Sequence, residues 1–318
     1  GLTSKDWRTR LSWAENTSFT STPEQVERGL SDPIGHVRWE WSRRTDFHPT
    51  CEQVERGLTD ADEHIRQAWA QRMDFTPTPE QIERGLTDSC SSIRWEWTSR
   101  TDFTPTPEQV ERGLMDNNEW VRKNWAKRQD YVPTPQQVER GLKDTIWSIR
   151  EEWVRRHDYT PTPEQIERGL KDTHWKVREA WAQRMDFQAT ADQIHRGLSD
   201  LFESVRSTWA ERMDFTPTPE QVERGLTDKK EIVRLAWVSR KDFTPTPEQV
   251  ERGLLDDSVQ VCLAWIQRDD ISWTHKQFQI GLQHPDENVR EALEQALLRQ
   301  KINIANFQED VCVQEHAL

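Results

Sequence analysis

The stretch Thr22–Leu30 reads TPEQVERGL, and close copies of it recur along the chain every 28 residues. The leucine that ends the string returns at Leu58, Leu86, Leu114, Leu142, Leu170, Leu198, Leu226, Leu254 and Leu282. A fixed period of this length is typical of repeat proteins, in which each unit buries its apolar face only by stacking on its neighbours. The period therefore predicts tandem units that share one continuous core.

The first half of each unit predicts a short helix. Thr22 is followed by Pro23 and, three residues after the threonine, by Gln25. This order is that of a capping box with proline at the first helical position, so the helix should begin at Pro23. Gly29 recurs in every copy just before the leucine. We interpret it as a point of close approach to the neighbouring helix or as the end of the first helix.

The second half predicts another helix, with Asp32 as its N-cap. Val37 and Trp41 are four residues apart, so both face the same side and should point inward. A TPTP string leads into five of the ten first helices, and proline disfavours helix in the residue before it. Because 28 residues hold two helices of roughly two to three turns, the prediction is an all-α, right-handed α-solenoid of two-helix repeats.

Tryptophan decides whether such units can have a core. The chain carries a net charge of −13 and a mean hydropathy of −0.97, which alone would be typical of a disordered protein. However, it contains 17 Trp, the side chain that buries a very large apolar surface. One column of them follows the repeat: Trp13, Trp41, Trp69, Trp97, Trp125, Trp153, Trp181, Trp209, Trp237 and Trp265. We predict that this column is the core.

The same register predicts the domain organisation. Residues 1–20 match only the second half of a unit, 21–300 hold ten tandem repeats, and 301–318 form a C-terminal cap or tail. Because the units stack on one another, we expect one elongated domain.

The second-helix pattern, seen at Asp60, Ile65, Arg66, Trp69 and Ala70, resembles the inner half of HEAT-type repeats. The short two-helix unit also resembles the leucine-rich-repeat variants. These resemblances imply an α-solenoid but no shared chemistry. Those families usually carry alanine where this chain carries tryptophan, which implies wider helix spacing here. The iron–sulphur cysteines of one variant protein have no counterpart.

Several function classes lack support in the sequence. No stretch approaches the ~18 apolar residues of a membrane span. The cysteines show no CxxC or Cys/His cluster, so neither a disulfide framework nor a metal site is expected: Cys51, Cys90, Cys262 and Cys312. The histidines are scattered over different repeat positions without a nucleophile partner. We expect a cytoplasmic protein that is not an enzyme and uses no cofactor.

Charged columns also recur with the repeat. We predict that aspartates equivalent to Asp32 accept hydrogen bonds from arginines equivalent to Arg38 in the adjacent unit, since repeats stack through nearest-neighbour contacts. The alternative is that the columns of Arg38 and Arg44 form a track for phosphates.

Function is expected where the units differ. Two stripes vary, the inter-helix turn and a face of the second helix, illustrated by Trp39 and Glu40, that should point outward. Six tryptophans outside the core column lie in these stripes: Trp7, Trp39, Trp95, Trp120, Trp147 and Trp175. Exposed tryptophan is enriched at binding hot spots; the alternative is that some of these rings extend the core. Trp273 is predicted to be structural.

The leading hypothesis is a scaffold that binds a protein or peptide partner through Trp39, Trp95, Trp120, Trp147 and Trp175. The second is nucleic-acid recognition, in which the variable turns and the arginine columns act with Lys123, Lys176, Lys229 and Lys230. The net charge of −13 opposes the second hypothesis. A third is a purely architectural spacer. No membrane partner is expected.

Overall fold

The computed structural model describes residues 3–299, which contain 21 helices and no strand. The predicted tail, 301–318, lies outside the described residues. The ten first helices are α2 Pro23–Leu30, α4 Cys51–Leu58, α6 Pro79–Leu86, α8 Pro107–Leu114, α10 Pro135–Gly141, α12 Pro163–Gly169, α14 Ala191–Gly197, α16 Pro219–Leu226, α18 Pro247–Leu254 and α20 His275–Leu282.

The second helices, of which the first belongs to the half repeat, are α1 Trp7–Glu15, α3 Gly35–Arg43, α5 Glu63–Gln71, α7 Ser91–Ser99, α9 Glu119–Lys127, α11 Trp147–Val154, α13 Trp175–Gln183, α15 Glu203–Glu211, α17 Glu231–Ser239, α19 Val259–Gln267 and α21 Glu287–Arg299.

The chain divides into two compact units, Gly1–Tyr159 and Thr160–Leu318. In the first, each first helix packs on the second helix of its own repeat, and α1, α3, α5, α7, α9 and α11 pack on one another in chain order. In the second, α13, α15, α17, α19 and α21 do the same, with α12, α14, α16, α18 and α20 against them. The predicted α-solenoid of two-helix repeats is confirmed, while its handedness and the single domain stay predictions.

The starts of the first helices follow from hydrogen bonds close in sequence, whereas several second helices begin without a side-chain cap. All ten first helices begin with a capping box; in α2 the Thr22 hydroxyl accepts from the amide of Gln25, whose side chain accepts from the amide of Thr22. The prediction that Asp32 caps the second helix is wrong, because α3 begins at Gly35. The Asp32 carboxylate accepts from the amide of Ile34 and is held by Arg10 of the preceding repeat.

The tryptophan column fills the interior. Its nine members Trp41, Trp69, Trp97, Trp125, Trp153, Trp181, Trp209, Trp237 and Trp265 are at most 2% exposed. Trp13 is 40% exposed, which corrects the prediction that it is a core residue. In the described residues no first helix precedes α1, so the ring of Trp13 has no partner helix of its own repeat and meets Phe19 edge-on, with ring centroids 5.7 Å apart. Trp273 is buried, as a structural residue should be.

The recurring glycine makes room for the tryptophan ring. A Cβ atom on Gly29 would lie 2.2 Å from Cδ2 of Trp41, and one on Gly113 would lie 1.9 Å from Nε1 of Trp125. All ten glycines of this column have the same relation to the second helix of their repeat, Leu293 replacing tryptophan beside Gly281. The glycine therefore marks a close approach, and the ring packs directly on the backbone of the first helix.

We predict that Gly29→Ala destabilises the chain by about 1–3 kcal/mol, the usual cost of overpacking a core. The direction of this change in stability is informative, because alanine in place of glycine inside a helix ordinarily stabilises a protein by roughly 0.5–1 kcal/mol. Gly35→Ala is the matched control, since the nearest atom to the new Cβ would be the end of the Asp62 side chain, at 2.8 Å, and not a ring packed on the backbone. The denaturant midpoint should fall for Gly29→Ala and not for Gly35→Ala; equal midpoints would contradict the packing argument.

Candidate functional site

The constant charges form a ladder between repeats. Arg38 donates from Nε and Nη2 to the two carboxylate oxygens of Asp60 in the next repeat, at 2.8 and 2.9 Å. Its Nη1 donates to the carbonyl of Asp32 in its own repeat at 2.8 Å. The same two-pronged pair joins Arg10–Asp32, Arg66–Asp88, Arg94–Asp116, Arg122–Asp144, Arg178–Asp200, Arg206–Asp228 and Arg234–Asp256. The predicted ladder is confirmed.

The Arg44 column ties each repeat to the end of the preceding second helix. Arg44 donates from Nη1 to the carbonyls of Ala14 and Asn16, at 2.9 and 2.7 Å, and forms an ion pair with Asp46. Its guanidinium lies 4.8 Å from the ring centroid of Phe19 and is buried. Equivalent contacts are made by Arg72, Arg100, Arg128, Arg156, Arg212, Arg240 and Arg268. The guanidinia of these arginines, in both columns, are therefore already bound within the described part of the chain.

A third ladder joins the first helices. Arg56 donates to the Glu27 carboxylate at 2.8 and 2.9 Å, and the Gln53 amide donates to it at 3.1 Å. The hydrogen bonds from Arg56 and Gln53 lower the pKa of Glu27 to about 2. The Arg56 and Glu27 side chains are exposed, so solvent screens this ion pair and its contribution to stability is small.

The variable residues at the start of the second helices touch from one repeat to the next. We call these the helix-start ridge: in each repeat, the residue before the second helix and the first two residues of that helix. Phe202 stacks on Trp175 with ring centroids 5.6 Å apart, and the Lys230 ammonium lies 3.6 Å from the Glu203 carboxylate. In both cases the residue before one helix meets the first residue of the preceding second helix. Within each unit, neighbouring repeats therefore present their variable residues side by side.

The predicted outward face of the second helix is largely covered. Ala68, Ala180 and Ala236, in register with Glu40, are buried, and Glu151 is 9% exposed. The prediction that this face points to solvent is wrong because second helices of successive repeats pack against each other. The Gln67 amide, for example, donates to Glu96 of the next repeat at 2.9 Å.

Two of the predicted binding residues share an open cavity. Trp95 is 37% exposed and Trp120 is 58% exposed. Both line a cavity of about 230 Å³ that runs across α5, α7 and α9, together with Gln67, Ser91, Ser92 and Asn118. We call this cavity the Trp95–Trp120 notch.

The other variable tryptophans are half-buried. Trp39 lines a second cavity of about 160 Å³ with His36, Asp62 and His64, and its ring lies 4.5 Å below the Arg43 guanidinium. Trp175 lies between His174 and Phe202, with the Lys176 ammonium 5.6 Å from its ring centroid. Trp147 is the first residue of α11. At Trp7, the Arg8 guanidinium lies 4.9 Å from the ring centroid.

The predicted lysines mostly have partners within the chain. The Lys123 ammonium lies 3.7 Å from the Glu152 carboxylate, Lys230 contacts Glu203, and Lys176 lies over Trp175. Lys229 is exposed. The lysines with ion pairs are partly neutralised, which weakens the case for a basic surface.

Two features were not predicted from the sequence. Phe202 is 41% exposed on the helix-start ridge, and Leu201, the residue directly before it, is 89% exposed. A larger, open cavity of about 620 Å³ lies at the ends of α7 and α9, and its residues come from constant as well as variable positions. Its arginines, Arg100 and Arg128, are already bound to backbone carbonyls.

Cysteine and histidine meet at one rung of the ladder. Cys262 and His284 occupy the register positions of arginine and aspartate, and Sγ lies 3.8 Å from Nε2. The thiol donates to the Asp256 carbonyl at 3.4 Å, as the arginines do at this position, and burial raises its pKa. Among residues 3–299, no group of three or more His, Cys, Asp or Glu side chains could hold a metal ion, and no helix is long and apolar enough to cross a membrane.

The repeat geometry is shared with a solved structure described as a leucine-rich repeat variant with a novel repetitive structural motif. The two are 22% identical, the match covers 74% of this chain and 87% of the other, and the TM-score is 0.51. The chain has the leucine-rich-repeat-variant fold. At this identity the likeness shows the fold alone. No family model and no curated protein matches the chain.

In this version of the leucine-rich-repeat-variant fold, the buried arginine should be indispensable. We predict that Arg100→Ala lowers the free energy of unfolding by about 3–5 kcal/mol, since it leaves carbonyls and a carboxylate without their donor. Arg100→Lys should recover only part of the loss, because one ammonium cannot replace the planar guanidinium fork. Arg112→Ala, which breaks an exposed pair with Glu83, should cost less than about 1 kcal/mol. Similar losses for Arg100→Ala and Arg112→Ala would be the contrary result.

The glutamate ladder predicts a loss of stability in acid. A pKa lowered on folding stabilises the folded chain above the unfolded-state pKa, and the gain disappears as pH falls through the folded pKa. For Glu27 that window runs from 4.5 down to about 2. Unfolding midpoints measured across this window should fall with pH, and the slope should be shallower in Glu27→Gln. Identical slopes in the two proteins would exclude a role for Glu27.

Proposed function

We propose that this chain is a non-enzymatic binding scaffold that holds a protein or peptide partner on its helix-start ridge and in the Trp95–Trp120 notch. The observation that carries the proposal is the exposure of Trp95 and Trp120 in one cavity. The constant tryptophan and arginine columns already form the contacts within and between repeats. The rings of Trp95 and Trp120 are therefore not needed to complete the core. Exposed aromatic rings in a polar surround are typical of interaction sites.

The charge distribution favours a protein partner over nucleic acid. The chain has a net charge of −13, and its two arginine columns are bound internally. Glu63 is exposed and Glu119 half-buried in the first turns of α5 and α9, where they would repel phosphate. Recognition of nucleic acid through the variable turns and lysines remains the alternative.

A binding role also agrees with the chemistry of the described residues. The Cys262 thiol touches a histidine, but it is buried and its pKa is raised, whereas a nucleophilic cysteine needs a stabilised thiolate and access to substrate. Cys51, Cys90 and Cys262 are free cysteines, which is compatible with the reducing cytoplasm as the place of action. The proposal requires neither a metal nor a cofactor.

The test is selection of random dodecapeptides displayed on phage, with the full chain as bait. We expect peptides enriched on the wild-type chain to bind at least about tenfold more weakly to Trp95→Ala/Trp120→Ala, because aromatic anchors dominate binding energy. Met73→Ala is the control, since it removes an equally exposed apolar side chain, 59% exposed, from outside the ridge.

Binding to an oligonucleotide that falls steeply with added salt, without any peptide selection, would replace the proposal with nucleic-acid recognition. Peptide selection that is unaffected by the double substitution would remove Trp95 and Trp120 from the binding surface. No binding to peptide or oligonucleotide would favour an architectural spacer.

A further inference from the structure

We infer that the Trp95–Trp120 notch receives an arginine side chain from a peptide segment of the partner. This inference rests on the proposed function and deepens it, because it specifies the chemistry of the group that the notch recognises.

The variable tryptophans differ in whether the chain supplies its own cation. A guanidinium lies 4.5 Å from the ring of Trp39, another lies 4.9 Å from Trp7, and an ammonium lies 5.6 Å from Trp175. Across residues 3–299, no Lys or Arg lies over Trp95 or Trp120. A tryptophan face attracts cations more strongly than the other aromatic rings do. The rings of Trp95 and Trp120, which no cation of the described residues covers, are therefore able to attract a cation from a partner.

Trp39 and Trp95 show the difference most clearly because they occupy the same position of the repeat. Four residues after Trp39, on the same face of α3, Arg43 covers the ring. Four residues after Trp95 the chain has Ser99, whose hydroxyl donates back to the Trp95 carbonyl at 3.0 Å. The repeat that contributes Trp95 to the notch therefore has no cation at the position equivalent to Arg43.

The charges around the notch complement a cation. Its six lining residues are uncharged. Glu63 lies four residues before Gln67 on the same face of α5, and Glu119 directly precedes Trp120; neither carboxylate forms an ion pair within the described part of the chain. Lys123 also follows Trp120 on α9, but its ammonium is beside Glu152 of α11. A cation entering the notch is attracted by these two nearby carboxylates, whereas a phosphate or carboxylate would be repelled.

Arginine fits the notch better than lysine for two reasons. A planar guanidinium stacks on an aromatic face and still donates in its plane to carboxylates and hydroxyls. The chain itself uses this arrangement throughout its core, as where Arg100 lies 4.8 Å from the Phe75 ring and 5.1 Å from the Trp97 ring. The volume of about 230 Å³ is below the range of roughly 300–1,000 Å³ for drug-sized ligands, so one side chain is the appropriate occupant.

The experiment uses the displayed dodecapeptides and the full chain again, with a different readout. Arginine should be over-represented among peptides selected on the wild-type chain relative to those selected on Trp95→Ala/Trp120→Ala. The strongest peptide is then synthesised twice, with arginine and with citrulline, its uncharged analogue. By titration calorimetry, citrulline should weaken binding to the wild-type chain by about tenfold, the scale of a partly desolvated cation–π contact plus a charged hydrogen bond.

Three protein variants identify the groups responsible. Trp95→Ala/Trp120→Ala should bind the arginine and citrulline peptides equally. Glu63→Gln/Glu119→Gln should reduce the advantage of arginine and make it less dependent on salt. Met73→Ala should retain the full advantage. If the alanine variant fails to fold, Trp95→Phe/Trp120→Phe keeps both rings and should show a reduced advantage, since phenylalanine attracts cations less strongly.

The possible failures are distinguishable. Peptides that depend on Trp95 and Trp120 but bind equally with citrulline would overturn the arginine inference and leave the proposed function standing. An arginine advantage that persists in the alanine variant would place the guanidinium elsewhere and also overturn it. Absence of any selected peptide would remove the proposed function itself.

Discussion

The contact of a tryptophan ring with a bare glycine Cα is the constraint on which the rest of this structure depends. A chain with so few aliphatic residues and so much charge can bury enough apolar surface only if each repeat contributes one very large side chain. Two short helices leave no space for that ring unless the first helix lacks a Cβ at the contact. Glycine therefore sits inside a helix, where it is ordinarily unfavourable, because the packing of the ring requires it.

Local chemistry explains which parts of the fold could be predicted from sequence. The capping box needs only residues three apart, so the start of every first helix was predictable. Asp32 was predicted in part: its bond to the arginine of the neighbouring repeat is as expected, whereas its assignment as an N-cap was wrong, because its carboxylate accepts from the amide of Ile34 and the helix begins at Gly35. Trp13 was misplaced because its burial requires a first helix of its own repeat, and none of the helices described in residues 3–299 takes that place beside α1. The contacts between repeats that were predicted correctly are those of the arginine–aspartate ladder, whose two columns recur in nearly every unit, whereas the burial of an individual ring such as Trp13 was not predictable in this way.

The candidate site was predictable only in part for the same reason. Sequence identifies the variable tryptophans, yet it does not show which rings are covered by neighbours. Trp39 and Trp95 share a register position, and a single difference, Arg43 against Ser99, separates a ring with an internal cation from one without. The helical face represented by Ala68 and Glu151 was assigned to solvent, although adjacent second helices enclose it. In a repeat protein, the exposure of a side chain depends on the neighbouring repeat as well as on its own.

The exchange of an arginine–aspartate rung for Cys262 and His284 bears on how freely the repeats can be rearranged. Each rung takes its arginine from one repeat and its aspartate from the next. A repeat therefore has an arginine on the edge that faces one neighbour and an aspartate on the edge that faces the other. Repeats with an arginine edge and an aspartate edge can be duplicated or reordered without leaving a charge unmatched. The repeat that carries His284 faces the small, uncharged side chain of Cys262 in its neighbour. An arginine at that position would confront an imidazole in a buried rung, so these two repeats are matched to each other and not to the rest of the array.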